Sequence, residues 1–143
     1  MPTLIVTLKS SEIDPSTGKI PINLHHNIKA QEVMLRKVSV LKSAASSAGE
    51  SRVHIEIPEL FHECFAAGSK HACFCVPTLA SQQFEDHQFG SGLKFGIENL
   101  NNIIHARIYN SDGTTPILGD STNNNLKIKE IILYIDYNTN DLF

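Results

Sequence analysis

The residues best suited to chemistry are histidines and cysteines gathered mid-chain: His62, Glu63 and Cys64, followed by His71, Cys73 and Cys75. Imidazole nitrogen and thiolate sulfur are zinc-type ligands. If 71–76 is a strand, His71, Cys73 and Cys75 fall at i, i+2 and i+4 and share a face, and a fourth ligand is available from the segment carrying His62 and Cys64. The spacing is not that of a C-x-x-C knuckle, and side chains two apart on a strand stand ~7 Å apart, so bringing three onto one ion requires bending. The competing reading makes Cys73 and Cys75 small apolar core residues, with His71 at the strand entrance. The expectation is therefore no metal and no cofactor, with His71, Cys73 and Cys75 the candidates to check.

The remaining titratable groups do not assemble into a catalytic pattern. His25 and His26 belong either to a pH-sensitive contact or to a loop. His54 shares the polar face of a strand with Glu56, and His105 alternates with Ile104 and Ala106; neither has a local serine or cysteine nucleophile in a recognisable setting. Both read as exposed strand histidines. No spacing singles out a pair of carboxylates for acid/base work. Phe89-Gly90-Ser91-Gly92 precedes a strand and no helix, so it reads as hairpin geometry and not as a phosphate loop. Asp112-Gly113 and Asp120 lack the ordered Asp spacing and terminal Glu of a calcium loop and read as turns. No catalytic residue is expected, and the chain is not read as an enzyme.

The elements that must position these residues are strands. A length of 143 residues, with 41% hydrophobic and 19% charged residues, suits a single domain over 1–143 with a core of useful size. A net charge of -3 argues against a surface built for nucleic-acid phosphates, so no direct nucleic-acid binding is expected. No run approaches the ~18 apolar residues of a membrane span. Residues 1–9 read as a strand and not as a leader, and an odd number of cysteines, three, fits reduced thiols and intracellular production.

Eight β-rich runs are separated by turn-forming clusters: 3–9, 19–24, 32–42, 52–57, 71–76, 92–97, 103–109 and 126–137. Pro21 puts the second at an edge or a strand start. In the third, Val33 and Leu35 share one face but Met34, Val38 and Val40 the other, which calls for a bulge near Arg36-Lys37 or for a strand that crosses from one sheet environment to another. Residues 43–51 are a polar Ser/Ala loop, and a Gln/Asp/His loop with Gly90 precedes the sixth strand. One short helix is expected over 58–67, with Pro58 near its start, Gly68 at its end and Leu60, Phe61, Cys64 and Phe65 as its stripe. Asn110-Ser111-Asp112-Gly113 is a hairpin-type turn signal. The last run opens as an alternation, Leu126 and Ile128 against Lys127 and Lys129, then passes from Ile131 to Ile135 without a charge, as a strand does when it leaves a wet margin for the interior. The whole reads as an all-β fold: an eight-stranded antiparallel β-sandwich, a single jelly roll by strand count. An immunoglobulin-like sandwich is the alternative, without its tryptophan or an inter-sheet cysteine pair.

The stretch Gly18-Lys19-Ile20-Pro21-Ile22-Asn23-Leu24 through Gln31-Glu32-Val33-Met34-Leu35-Arg36-Lys37-Val38-Ser39-Val40 resembles the opening of small jelly-roll proteins of Polinton/Maverick-type elements, adintoviruses and related double-stranded DNA viruses. The close on Ile131-Ile132-Leu133-Tyr134-Ile135-Asp136-Tyr137 is similar to theirs, and the likeness is one of pattern and not of invariant motif. It implies a structural virion protein: a penton at five-fold vertices or a minor capsid subunit, found in the virion and made in the host cell interior. Its partners would be copies of itself, as a pentamer, and a neighbouring major capsid protein. The resemblance supplies no catalytic residues. Contacts under this reading fall on the first strand, on loops 43–51 and 114–125 and on the tail 138–143, where Leu142 and Phe143 form an apolar end able to enter a neighbour. The competing class is a trimeric receptor- or glycan-binding module of the tumour-necrosis-factor, fibre-head or lectin kind. The lack of a recognisable signal and an aromatic content of 7% without tryptophan weigh against it. A metal-dependent cupin-like enzyme comes third, because no motif of scattered His and Glu ligands is present.

Overall fold

The computed structural model describes residues 3–23, 30–58, 60–62, 74–97 and 103–139. Nine strands form among them: β1 (Thr3–Lys9), β2 (Lys19–Asn23), β3 (Ala30–Lys42), β4 (Arg52–Glu56), β5 (Leu60–His62), β6 (Phe74–Pro77), β7 (Phe84–Ile97), β8 (Ile103–Tyr109) and β9 (Ile128–Thr139). The helix expected over 58–67 is not formed where it is described. Leu60–His62 is instead a short strand pairing with the end of β7. A Pro near the start and a Gly at the end mark either element, and here a tertiary sheet partner decides between them. The rest of that segment lies outside the described residues. Among these, the one helical element is a 3-10 turn at Ser10–Glu12, and no helix is long and apolar enough to cross a membrane.

The pairing pattern gives the architecture. β1 pairs with β9, β2 with β8, β3 with β7 and β4 with β6, all antiparallel. That is one long ribbon, first strand against last and inward in order. The ribbon wraps on itself because β9 also pairs β3, and β8 also pairs β4. The result is two facing sheets, β1-β9-β3-β7 and β2-β8-β4-β6, with β5 added beyond β7. This is the jelly roll, and the wrapping excludes the immunoglobulin-like alternative.

Alternation fills the space between the sheets. Val6, Leu8, Ile131, Leu133, Val38 and Val40 point inward from one sheet, facing Ile20, Ile104, Ile108, Val53, Ile55 and Val76 from the other. Burying each such Leu or Ile contributes about 1.5–3 kcal/mol. On β9, Leu133 and Ile131 are wholly buried while Ile132 and Tyr134 are half-buried on the outer face. The run that reads as apolar on both faces is thus a central strand, flanked by β1 and β3.

The bulge expected at Arg36-Lys37 is present: the register shifts between Leu35 and Lys37 against both β7 and β9. Arg36 is the extra residue. It lies exposed with its Nε 2.7 Å from an Asp136 oxygen, so Val33, Leu35, Val38 and Val40 all face inward. Across from it, residues 89–92 of β7 stand between the partners of Leu35 and Lys37. Phe89-Gly90-Ser91-Gly92 is therefore a bulge within one strand and not a hairpin turn. Gly92 sits there at φ +88, where an added Cβ would stand 3.4 Å from the Met34 Cβ. The polar run before it, read from sequence as a loop, is the first half of β7, in which Glu85 and His87 take half-buried positions and Phe84, Asp86 and Gln88 are exposed.

Candidate functional surfaces

The antiparallel order brings four connections to one end of the sandwich: 10–18, 43–51, 78–83 and 110–127. They are tied to one another. The Ser10 hydroxyl donates to Asp120 at 2.6 Å, joining the first connection to the fourth. Ser43 and Ser47 N–H donate to the carbonyls of Lys127 and Asn125 at 2.8 and 2.9 Å. Ser51 N–H donates to the Ser111 hydroxyl at 2.8 Å while Ser111 N–H donates to Glu50 at 2.9 Å. Thr78 N–H reaches the Ser51 carbonyl at 2.8 Å, and Gln82 N–H the Lys42 carbonyl at 2.9 Å. These bonds satisfy backbone groups that loops otherwise leave to water.

Buried polar side chains brace the same end. Asn124 is 5% exposed; its amide donates to the Asp120 and Ile128 carbonyls and accepts from Ile128 N–H, all at 2.8–2.9 Å. Lys42, 3% exposed, donates from Nζ to the Ser46 hydroxyl at 2.8 Å and the Thr78 carbonyl at 3.0 Å. The Asn110-Ser111-Asp112-Gly113 signal does form a turn, closed by Gly113 N–H on the Asn110 carbonyl at 2.9 Å. The Asp112 carboxylate accepts from the Thr115 hydroxyl and from the N–H groups of Thr115 and Thr114, which hold it down to about 2.

From this braced end Leu79 projects, 79% exposed, with Phe84 48% exposed at the start of β7. Leu79 does not hang on a loose loop. Its N–H and that of Ala80 donate to one Glu85 oxygen at 2.8 and 2.6 Å, and His87 Nε2 lies 2.6 Å from the other. Burial alone would push the Glu85 carboxyl up, but those amides and His87 outweigh it and hold it below its ordinary value.

The outer face of the four-stranded sheet carries His54, His105 and Cys75. His54 is half-buried on β4 with Nε2 3.3 Å from the Ser111 carbonyl, and Gly113 of the turn packs over its ring. Beside it, the Tyr109 hydroxyl donates to Glu56 at 3.0 Å and Arg107 Nη1 lies 3.8 Å from the same carboxylate. Burial raises the Tyr109 phenol, and the Glu56 bond and charge raise it further. His105 lies half-buried on the neighbouring β8. Cys75 stands opposite His54 across the β4–β6 pair and is an exposed free thiol, not the core residue of the apolar reading. His71 and Cys73, like His25, His26, Glu63 and Cys64, lie outside the described residues, as do Leu142 and Phe143. Among the described residues no three His, Cys, Asp or Glu side chains are placed to hold a metal ion.

Two features of the loop end go beyond the sequence reading. Lys42 had a readable signal, since past the bulge it falls in line with inward-facing Val38 and Val40. Leu79 had none, because its exposure depends on Glu85 folding back onto the 78–83 connection. No family model matches the chain, and no curated protein is significantly similar to it.

Proposed function

We propose that this chain is a non-catalytic structural subunit of a virion, a penton or minor capsid protein that assembles as a pentamer with copies of itself and beside a major capsid protein. The observation that carries the reading is a jelly roll whose four loop-end connections are hydrogen-bonded to each other while Leu79 and Phe84 project from them. A subunit in a closed shell must present a fixed contact end, because small errors in angle accumulate around a ring. Polar groups satisfied within the subunit provide that fixity, and exposed apolar side chains provide contact area. The test is co-expression with the capsid proteins of the source element followed by particle purification. Stoichiometric inclusion at vertices or between major capsid subunits is the expected result. Exclusion from particles, with a stable trimer that captures a receptor or glycan, would replace this reading with a binding module.

A further inference from the structure

The peptide unit that joins Thr78 to Leu79 is held at its two ends by opposite charges. Its carbonyl accepts from the Lys42 ammonium at 3.0 Å, and its N–H donates to Glu85 Oε1 at 2.8 Å. Lys42 is 3% exposed and its other partner, the Ser46 hydroxyl, is neutral, so cation and anion meet through this one amide. Each charge polarises the peptide toward the other and strengthens both bonds.

The hold on Leu79 is narrow. Thr78 N–H is fixed to the Ser51 carbonyl at 2.8 Å and Gln82 N–H to the Lys42 carbonyl at 2.9 Å, so both ends of the stretch are anchored without Glu85. Between those anchors, the hydrogen bonds found among the described residues are the two that Leu79 and Ala80 N–H make to the Glu85 carboxylate. An ionised carboxylate accepts both readily. A protonated carboxyl accepts more weakly and brings a proton that needs a partner of its own.

Glu85 lies opposite Val40 of β3, with His87 opposite Val38. The titratable groups on its side of β7 are His87, whose Nε2 is 2.6 Å from Oε2, and Lys42, two residues beyond Val40 on β3. The 78–83 connection bears no titratable side chain, and the facing strand β6 turns Phe74 and Val76 inward. Asp86, bonded to Ser39 and paired with Lys37, belongs to the opposite face of β7.

We propose that Glu85 is an acid-released latch: ionised, it holds residues 79–81 and aims Leu79 outward; protonated, it frees them while the anchors at Thr78 and Gln82 stay closed. Burial pushes the Glu85 carboxyl up, but the Ala80 and Leu79 amides and then His87 outweigh it. The latch is therefore complete above the ordinary value of about 4.3 and opens as pH falls through the lower native one. Under the virion reading, on which this consequence alone rests, acid reverses assembly through Leu79.

An NMR titration of the full chain from about pH 7 to about pH 3 tests the latch. The Leu79 and Ala80 amide protons should shift together, with one midpoint below about 4.3, while those of Thr78 and Gln82 do not follow it. Glu85→Gln keeps the shape and one acceptor oxygen but cannot ionise. It should abolish that titration and lower protection of both amides from exchange at neutral pH about tenfold, circular dichroism checking that it folds. Leu79 and Ala80 amides that do not titrate in the native chain, or that titrate alike in Glu85→Gln, would overturn the latch. Sedimentation of the same samples separates the two readings. Loss of assembly at the amide midpoint, flattened in Glu85→Gln, is the expected result; a chain monomeric at neutral pH whose amides still titrate with Glu85 would count against the subunit reading and for the latch.

Discussion

The loop end and the β1 margin both meet solvent, and they treat their backbones in opposite ways. At the loop end, Ser43, Ser47, Ser51 and Thr78 donate their N–H groups to other connections, and Gln82 donates its own to the end of β3. Along β1, alternate backbone groups point away from the sheet, and among the described residues no strand lies beyond them. A region that has satisfied its backbone internally offers partners only side chains, so a contact there depends on residue identity. One with an open backbone row offers a ladder, indifferent to most side chains and sensitive to proline.

The largest effect should come from the strand that supports both regions. Leu133 on β9 is wholly buried, opposite Val6 of β1 and Val38 of β3. Leu133→Ala should cost about 2–5 kcal/mol in denaturant unfolding and loosen the two regions together. Asn124→Ala should separate them. It strips partners from both backbone groups of Ile128 and from the Asp120 carbonyl, and should destabilise by about 1–3 kcal/mol. Exchange should quicken across 110–128 and leave β1 unchanged; equal loosening of β1 would mean the two regions are one cooperative unit.

Acid should act on both through different carboxylates. Asp112 at the loop end is held down to about 2 by Thr115 and Thr114, and Asp136 beside β1 is held below its ordinary value by the Thr3 hydroxyl and then Arg36. A depressed native pKa gives stability that is complete above the unfolded value of ~3.9 and is lost as pH falls through the native one. Thermal stability should therefore fall between about pH 4 and pH 2, and Asp112→Asn should flatten the part of that slope due to the turn. The smallest effect on folding should come from Leu79→Ser, within about 0.5 kcal/mol because Leu79 packs little, yet it should weaken assembly measured by sedimentation. Unchanged assembly would remove Leu79 from the contact.

Much of the sandwich was readable because inward and outward residues alternate so regularly on β1, β4 and β8. Even the β3 bulge showed, as a change of parity between Leu35 and Val38. The first half of β7 did not, because Glu85 and His87 take inward-side positions at a margin, where polar groups are tolerated beside water. β5 was hidden for another reason: three residues carry too little periodicity, and only their pairing with β7 makes them a strand. The loop end was legible in part. Connections 43–51 and 114–125 stood out as polar, but the bond that unites them runs from Ser47 to Asn125, far apart in the chain, and no local pattern encodes it.

The most direct test of the structural-subunit reading is the native mass of the purified full chain, followed by electron microscopy of the assembly. The account predicts a pentamer, with rings that seat in icosahedral particles and are weakened by Leu79→Ser. A chain that stays monomeric at every concentration, or forms a trimer whose mass Leu79→Ser leaves untouched, would contradict it.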